Sequence, residues 1–181
     1  VHGWPDTLQL WDAQVQALKP HFRCVRLTLP GFDLSRPGRA HSLDEVIATI
    51  KQVVEHHCPG ERVTLLVHDW GCLYGYQFAL RHPELVARVV GVDVGDAGSR
   101  AHQAALGLKA KAIVVGYQLW LALAWRVGGG LGDRMARWMA AKLRCPAPPQ
   151  SIGAQMGYPY AVAWFGVQGG FGKLRVFDPA V

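Results

Sequence analysis

One five-residue segment, Val-His-Asp-Trp-Gly at residues 67–71, constrains the fold of this chain more than any other. It follows an apolar run at residues 63–67 and precedes residues 72–81, which have helical spacing. A strand that turns sharply into a helix exposes the side chain at the apex above a sheet. Most such nucleophile elbows carry Ser, whereas the apex here is Asp69. A carboxylate at this position would attack carbon and leave an alkyl ester on the protein.

A second segment, His-Gly-Trp-Pro at residues 2–5, is typical of a loop that follows a strand and supplies an oxyanion donor. In the elbow arrangement the other donor is the backbone N–H of the residue after the nucleophile. The matching N–H groups belong to Trp4 and Trp70. Each such donor lowers a barrier by about 3–4 kcal/mol. Without this pairing, Asp69 would be an ordinary helix N-cap and both Trp side chains would be core residues.

Together these motifs resemble the epoxide hydrolase and haloalkane dehalogenase branch of the α/β-hydrolases, over residues 1 to about 100. Trp4 is closer to epoxide hydrolases, since dehalogenases usually carry Asn or Glu there. Val67 is closer to dehalogenases, since epoxide hydrolases usually carry Gly at that position. The other shared residues are Trp11, Leu-Pro-Gly-Phe at 29–32 and Arg-His-Pro-Glu at 81–84.

The resemblance implies an α/β-hydrolase fold, with a mostly parallel sheet flanked by helices and a helical cap. It implies an epoxide hydrolase-like hydrolase that acts on a small apolar organic substrate through an ester on Asp69, without a metal or an organic cofactor. A haloalkane dehalogenase-like hydrolase is the first alternative. In that case the indole N–H of Trp70 would bind the departing halide.

Further site residues follow from the resemblance by location alone. In epoxide hydrolases two Tyr hydroxyls of the cap hold the epoxide oxygen, and the candidates here are Tyr117, Tyr158 and Tyr160. Asp93 follows an apolar run at residues 86–92 and is a possible catalytic acid. The ordinary alternatives are a turn residue for Asp93 and core aromatics for the three Tyr side chains.

The first half of the chain alternates between helical and extended patterns. Helical spacing predicts a helix over residues 6–18 and another after a capping box that pairs Ser42 with Glu45. Extended patterns predict strands at residues 22–29, 63–67 and 86–92. Nearly continuous apolar strands that alternate with helices indicate a parallel sheet covered on both faces.

The pattern changes after residue 99. Residues 104–126 have a long apolar helical pattern, which the Gly triplet at 128–130 interrupts, and a short basic helix is predicted over 133–144, with Arg134, Arg137 and Arg144 on one side. We therefore expect the N-terminal part of the core at 1–99, a helical cap at 100–172 and the start of a return to the core at 173–181. An alternative places residues 104–144 on a membrane surface.

Composition narrows the class of protein. Hydrophobic residues make up 50% and charged residues 18% of the 181 residues, which indicates a globular chain. The net charge of +6 is concentrated in residues 101–181, with 9 basic and 2 acidic side chains. Basic and aromatic residues are not interleaved, so nucleic acid is not a predicted partner. The four Cys residues show no metal-ligand spacing and favour a reducing, cytoplasmic location.

The family pattern is incomplete in this sequence. The resemblance implies a catalytic acid and a His after the cap, yet no His follows His102. Only Val1 remains of the strand that leads into His-Gly, and each buried unpaired backbone group would cost about 1–3 kcal/mol. We therefore expect a chain that lacks its first and last strands. A non-catalytic hydrolase-like fragment or binding protein is the second functional alternative.

Overall fold

The computed structural model describes residues 1–94 and 107–175 of the chain. Its first half is built around the helix α2, Leu43–His57, which begins at the predicted capping box. Ser42 Oγ accepts a hydrogen bond from Glu45 N at 3.2 Å, and Glu45 Oε2 accepts one from Ser42 N at 2.8 Å. The apolar side chains of α2 pack into the main core. A short helix, α1, precedes it at Asp12–Leu18.

The sheet and its crossover helix hold the elbow. Strand β1, Val63–His68, and strand β2, Val86–Val92, are parallel; Val63 pairs with Val86, and after a one-residue shift the pairing is regular from Thr64↔Arg88 to His68↔Val92. Helix α3, Trp70–Arg81, connects them and packs against both strands. The carboxyl ends of β1 and β2 therefore lie at one edge of the sheet, with Asp69 at the turn between β1 and α3.

The other edge of β1 is occupied by the first residue of the chain. The amino group of Val1 donates to Leu66 O at 2.6 Å, and His68 N donates to Val1 O at 3.1 Å. The predicted strand at residues 22–29 is wrong, because these residues run without regular strand pairing. Leu29 N donates to the side chain of His2 instead.

The prediction of a sheet covered on both faces is wrong for β2 within the described residues. Val90 and Val92 are 42% and 46% exposed, and most of this strand is open to solvent. Helix α3 packs on one side of β2, and no described element covers the other side of these two residues. A continuous apolar pattern therefore marked a strand correctly but did not predict its burial.

Three helices form the second half of the described chain: α4, Leu108–Val127; α5, Gly129–Lys142; and α6, Tyr158–Phe165. Gly128, with φ 63°, joins α4 to α5, so α5 begins four residues before its predicted start. The prediction that three Arg side chains share one side of this helix is also wrong. Arg137 donates from Nε to Ile152 O at 3.0 Å, whereas Arg134 is exposed and Arg144 lies beyond the helix.

The predicted boundaries at residues 99 and 172 stay predictions. Residues 100–106 of the predicted cap and 176–181 of the predicted return lie outside the described residues. The described part of the return contacts the core through Gln77, whose side chain exchanges two hydrogen bonds with the backbone of Arg175 at 2.7 and 3.0 Å. Among the described helices, none combines the length and apolar character that crossing a membrane requires.

Candidate active site

Asp69 has the backbone conformation of an elbow. Its φ of 51° and ψ of −124° lie in a region that non-glycine residues rarely adopt. Such a conformation costs about 1–3 kcal/mol and persists only where its surroundings enforce it. Glycines allow the close packing that does so. A Cβ at Gly71 would lie 2.4 Å from Val1 O, and one at Gly75 would lie 2.5 Å from a methyl carbon of Val67.

Both predicted oxyanion donors converge on the Asp69 carboxylate. Trp4 N donates to Asp69 Oδ1 at 2.6 Å, and the backbone N–H of Trp70 also hydrogen-bonds the carboxylate. A Cβ at Gly3 would lie 2.1 Å from Asp69 Oδ1 and 2.4 Å from Trp70 N. Only glycine therefore fits between the two donors. The structure brings Trp4 into contact with Asp69, which lies 65 positions later in the sequence and is followed directly by Trp70.

His2 fixes the loop that carries Trp4. This side chain is fully buried, and its Nε2 accepts a hydrogen bond from Leu29 N at 2.9 Å. Nε2 therefore carries no proton, and Nδ1–H donates to Gly3 O at 3.1 Å. Burial lowers the pKa of His2 to about 4, so the ring is neutral at physiological pH. A neutral imidazole links the loop at residues 2–5 to Leu29.

The environment of Asp69 raises its pKa. Burial of the carboxyl raises the pKa from 3.8 to about 7, although the N–H groups of Trp70 and Trp4 act in the opposite direction. The charges of Asp93 and Asp6 raise it further. A carboxylate with a pKa near neutrality is more basic than an ordinary Asp, and it is still ionised in half or more of the molecules above pH 7.

Aromatic side chains surround the carboxylate. The Tyr160 ring lies 5.0 Å from Trp70, 6.1 Å from Trp4 and 6.2 Å from Tyr117, measured between ring centroids. Burial raises the pKa of both Tyr hydroxyls, and the nearby Asp69 charge raises each of them further. Both phenols therefore stay protonated and can act as hydrogen-bond donors beside Asp69.

The structure does not bring Tyr158 to this site. Tyr158 and Tyr160 are two residues apart on α6, so their side chains leave the helix about 200° apart. The Tyr158 ring packs 5.9 Å from Phe32 and 5.5 Å from His41 instead. His41 lines a separate surface groove of about 450 Å³. The assignment of Tyr158 to the substrate site is therefore corrected.

Asp93 lies at the same edge of the sheet as Asp69. Strand β2 ends at Val92, which pairs with His68, so each Asp is the first residue after its strand. Asp93 has φ 78° and is exposed, in keeping with a turn residue. It is close enough for its charge to influence Asp69. Its role as a catalytic acid stays a prediction.

Two contributors to the site were missed in the sequence. Phe171 stacks 5.6 Å from Trp70 and 6.3 Å from Tyr74, and it extends the aromatic wall. It lies in a glycine-rich stretch without periodicity, so no sequence signal marks it. The structural role of His2 was also missed, because its partner Leu29 is 27 residues away.

The described residues contain no metal-ligand cluster. Within residues 1–94 and 107–175, no three His, Cys, Asp or Glu side chains lie close enough to hold a metal ion. Each of the four Cys residues has a free thiol. The groups that the structure brings together at the candidate site are the Asp69 carboxylate, two backbone N–H groups and two Tyr hydroxyls.

Strand, elbow and crossover helix together define a hydrolase-type α/β protein with a carboxylate at the elbow. A family model described as alpha/beta hydrolase fold matches residues 1–123, and the chain belongs to this family. The predicted fold class and the resemblance to the epoxide hydrolase branch are both confirmed.

Two curated relatives are from Caenorhabditis elegans. Epoxide hydrolase 1 is 30% identical over 102 residues, which are 55% of this chain and 25% of that protein. Epoxide hydrolase 2 is 31% identical over 93 residues, which are 50% and 26% of the two chains. The chain therefore spans about a quarter of the length of these relatives.

A solved structure shares the fold over nearly the whole chain. It is a mutant epoxide hydrolase from Bacillus megaterium, complexed with its diol product. The TM-score is 0.68 at 23% identity, and the match covers 98% of this chain and 69% of that chain. At this level of identity the likeness shows the fold alone.

Proposed function

We propose that this chain carries the alkylating chemistry of an epoxide hydrolase, with Asp69 as its nucleophile. One observation carries the proposal. Asp69 is held at a strained elbow with Oδ1 2.6 Å from Trp4 N, and the buried Tyr160 and the partly buried Tyr117 share its surroundings. A nucleophile, an anion-stabilising pair and two acids are the groups that epoxide opening requires. The curated relatives named epoxide hydrolase support the same activity.

In the first step, a carboxylate oxygen of Asp69 attacks one carbon of the epoxide. We assign Oδ2 to this attack, because Oδ1 already accepts the N–H of Trp4. The C–O bond of the epoxide breaks, and its electron pair stays on the epoxide oxygen. That oxygen takes a proton from Tyr117 or Tyr160 and becomes a hydroxyl group. The product is a β-hydroxyalkyl ester on Asp69.

In the second step, water adds to the ester carbonyl, whose oxygen is Oδ1. Negative charge then develops between the N–H groups of Trp4 and Trp70, which lie where an oxyanion needs its donors. Collapse of this intermediate releases the diol and regenerates the carboxylate, and the proton set free returns to the Tyr that lost one in the first step. Water needs a general base in this step, and the sequence has no His after His102. We therefore expect the ester to accumulate on this chain.

The substrate class follows from the walls of the site. The rings of Trp4, Trp70, Tyr160 and Phe171 pack against one another beside the two donors of Asp69 and form an apolar wall. Pockets lined by aromatic side chains with a few polar groups favour apolar ligands. We propose aryl and alkyl epoxides as substrates, with the ring or chain against these side chains and the epoxide oxygen toward the two Tyr hydroxyls.

A haloalkane is the second candidate substrate. Trp70 Nε1 is buried beside the Tyr160 hydroxyl, and a halide leaving group would take the place of that hydroxyl as its acceptor. Halide departs without a proton, which distinguishes the two reactions. Loss of the Tyr hydroxyls should slow epoxide opening strongly and leave alkylation by a haloalkane almost unchanged.

Intact-mass spectrometry of the purified chain after incubation with styrene oxide tests the proposal. The expected result is one adduct, on Asp69 by peptide mapping, that Asp69→Asn does not form. Tyr117→Phe and Tyr160→Phe should each slow adduct formation by about 10–100-fold, as expected for loss of a general acid. Tyr158→Phe is the matched control and should react at the parental rate.

Three results would oppose the proposal. An adduct on a residue other than Asp69 would remove the nucleophile assignment. Equal rates in the Tyr160→Phe and Tyr158→Phe variants would remove the role of Tyr160. A chain that is folded by circular dichroism yet reacts with neither epoxides nor haloalkanes would favour the non-catalytic alternative.

A further inference from the structure

We propose that the outer faces of α4 and α5 bind the surface of an anionic lipid bilayer. The outer face comprises exposed apolar and basic side chains of two consecutive helices. Its apolar members are Leu119, Leu123, Val127, Leu131 and Trp138, and its basic members are Arg126, Arg134 and Lys142. Each contributes to a face that the described residues leave in solvent, and none belongs to the Asp69 site.

Helix α4 is apolar on two sides. One side, with Leu121, Ala122 and Ala124, is buried against α5 and α6. The other exposes Leu119, Leu123 and Val127, which are 39%, 46% and 44% exposed. The exposed stripe continues toward the helix start through Val115 and Leu108, with spacings of four and seven residues. Apolar character all round a helix is typical of one that is covered on both sides.

Helix α5 continues the surface. Leu131, Arg134, Trp138 and Lys142 follow at spacings of three and four, so they share one face. Leu131 is 54% and Trp138 49% exposed. The Trp138 ring lies 5.0 Å from that of Trp120 on α4, which joins the two helices at this surface.

The basic charge of this part of the chain indicates an anionic partner. Residues 107–175 contain nine Lys and Arg residues and one acidic residue, Asp133. Asp133 accepts a hydrogen bond from Ala154 N at 2.8 Å, so its carboxylate is used within the fold. Arg126 and Arg134 are exposed and form no ion pair among the described residues. A surface that combines uncompensated basic charge with exposed Leu and Trp is complementary to anionic headgroups above acyl chains.

A second copy of the chain fits this face less well. A symmetric dimer would place the same surface of both subunits together. Arg126, Arg134 and Lys142 would then face the same cations of the other copy, without acidic residues to separate them. A bilayer accommodates both the apolar and the basic side chains of this face, because Leu and Trp side chains enter the interface while Lys and Arg extend to the lipid phosphates and carboxylates.

Flotation with vesicles tests the proposal. The 181-residue chain is mixed with vesicles of phosphatidylcholine containing phosphatidylserine, and with vesicles of phosphatidylcholine alone. We expect flotation with the anionic vesicles only, and loss of binding as salt shortens the Debye length from about 30 Å to about 8 Å. Arg126→Glu with Arg134→Glu should weaken binding at least about 30-fold, since each basic side chain near the surface contributes about fivefold.

Two controls separate the surface from net charge and from misfolding. Lys19→Glu with Arg23→Glu makes the same change in net charge at exposed positions near α1 and should bind like the parent. Leu119→Ser with Leu123→Ser should weaken binding about tenfold without a change of charge, while Phe22→Ser, at a side chain 63% exposed, should not. Far-UV circular dichroism confirms that each variant is folded like the parent.

Several outcomes would overturn the proposal. The first is a folded parent chain that does not float with anionic vesicles. The second is a Lys19→Glu, Arg23→Glu control that loses as much binding as the Arg126→Glu, Arg134→Glu variant. The third is equal flotation with anionic and uncharged vesicles. Sedimentation provides the last test. A dimer that Leu119→Ser with Leu123→Ser converts to a monomer would assign this face to a second copy of the chain.

Discussion

Replacing Asp69 with Asn should stabilise the folded chain at pH 8 and leave its stability almost unchanged at pH 4. The carboxyl has a pKa of about 7 in the folded chain, against an ordinary 3.8. Each unit of difference corresponds to about 1.4 kcal/mol, so ionising Asp69 in the fold costs about 4 kcal/mol at pH 8. Asn keeps an acceptor oxygen for Trp4 N and tolerates positive φ about as well as Asp, so the substitution removes mainly the charge.

The direction in which the free energy of unfolding changes with pH follows from proton binding to Asp69. Between about pH 4 and pH 7 the folded chain holds a proton on Asp69 that the unfolded chain has lost. The free energy of unfolding therefore falls as the pH rises through this window. The stability difference between Asp69→Asn and the parent should grow from near zero at pH 4 to its full value above pH 7.

His2 contributes in the opposite direction. Burial lowers its pKa from 6.5 to about 4, so the unfolded chain binds the additional proton in this window. This contribution is complete above about pH 6.5 and is lost as the pH falls through about 4. The two effects oppose each other in the parent, and the buried Val1 amino group, with its pKa lowered to about 5, acts in the same direction as His2. In the Asp69→Asn variant, the free energy of unfolding should therefore rise with pH, as the pKa of His2 predicts.

Urea denaturation at pH 4, 6 and 8, followed by circular dichroism, measures these differences. Glu61→Gln, at an exposed carboxyl, is the matched control and should change stability by less than about 0.5 kcal/mol at each pH. An Asp69→Asn variant that is no more stable than the parent at pH 8 would show that the folded carboxyl ionises as an ordinary Asp. The burial argument for its basicity would then fail.

Three further predictions concern the same site and its support. The rate of adduct formation with styrene oxide should rise as the pH passes through about 7, because only the ionised carboxylate attacks; an unchanged rate from pH 5 to 9 would contradict the raised pKa of Asp69. Gly3→Ala should abolish the adduct, since its Cβ would lie 2.1 Å from Asp69 Oδ1, whereas Gly116→Ala, with open space around it, should react normally. Ser42→Ala should cost about 1 kcal/mol in urea denaturation through loss of the α2 cap, and an unchanged midpoint would count against the capping box.

Local signals in the sequence predicted the elements that depend on local physics. The capping box at Ser42 begins α2 because side chain and backbone satisfy each other within one turn. The elbow follows from an apolar strand, a short turn and a helical pattern. The pairing of Trp4 with Trp70 was also predictable, although from the resemblance and not from their spacing.

The errors arise where neighbours in space decide the structure. Residues 22–29 have the composition of a strand, but a strand needs a partner along its whole length, and Leu29 N binds the His2 ring instead. Val90 and Val92 are apolar and yet exposed. Tyr158 and Tyr160 differ only in their position round α6, which periodicity resolves once the buried direction is known. Phe171 reaches Trp70 through a segment that has no regular pattern.

Three unfavourable features coincide at Asp69, and their coincidence is the strongest structural argument for a chemical role. The residue has positive φ, its carboxyl is buried near the charges of Asp93 and Asp6, and Gly3 is required beside it. A residue selected only for stability would relieve at least one of these costs, for which Asn or Gly at position 69 would suffice. Local conflicts of this kind are expected where a fold sacrifices stability for function. The N–H groups of Trp4 and Trp70 limit the cost of the buried charge, and in the proposed ester hydrolysis the same two donors would stabilise the oxyanion that forms on Oδ1.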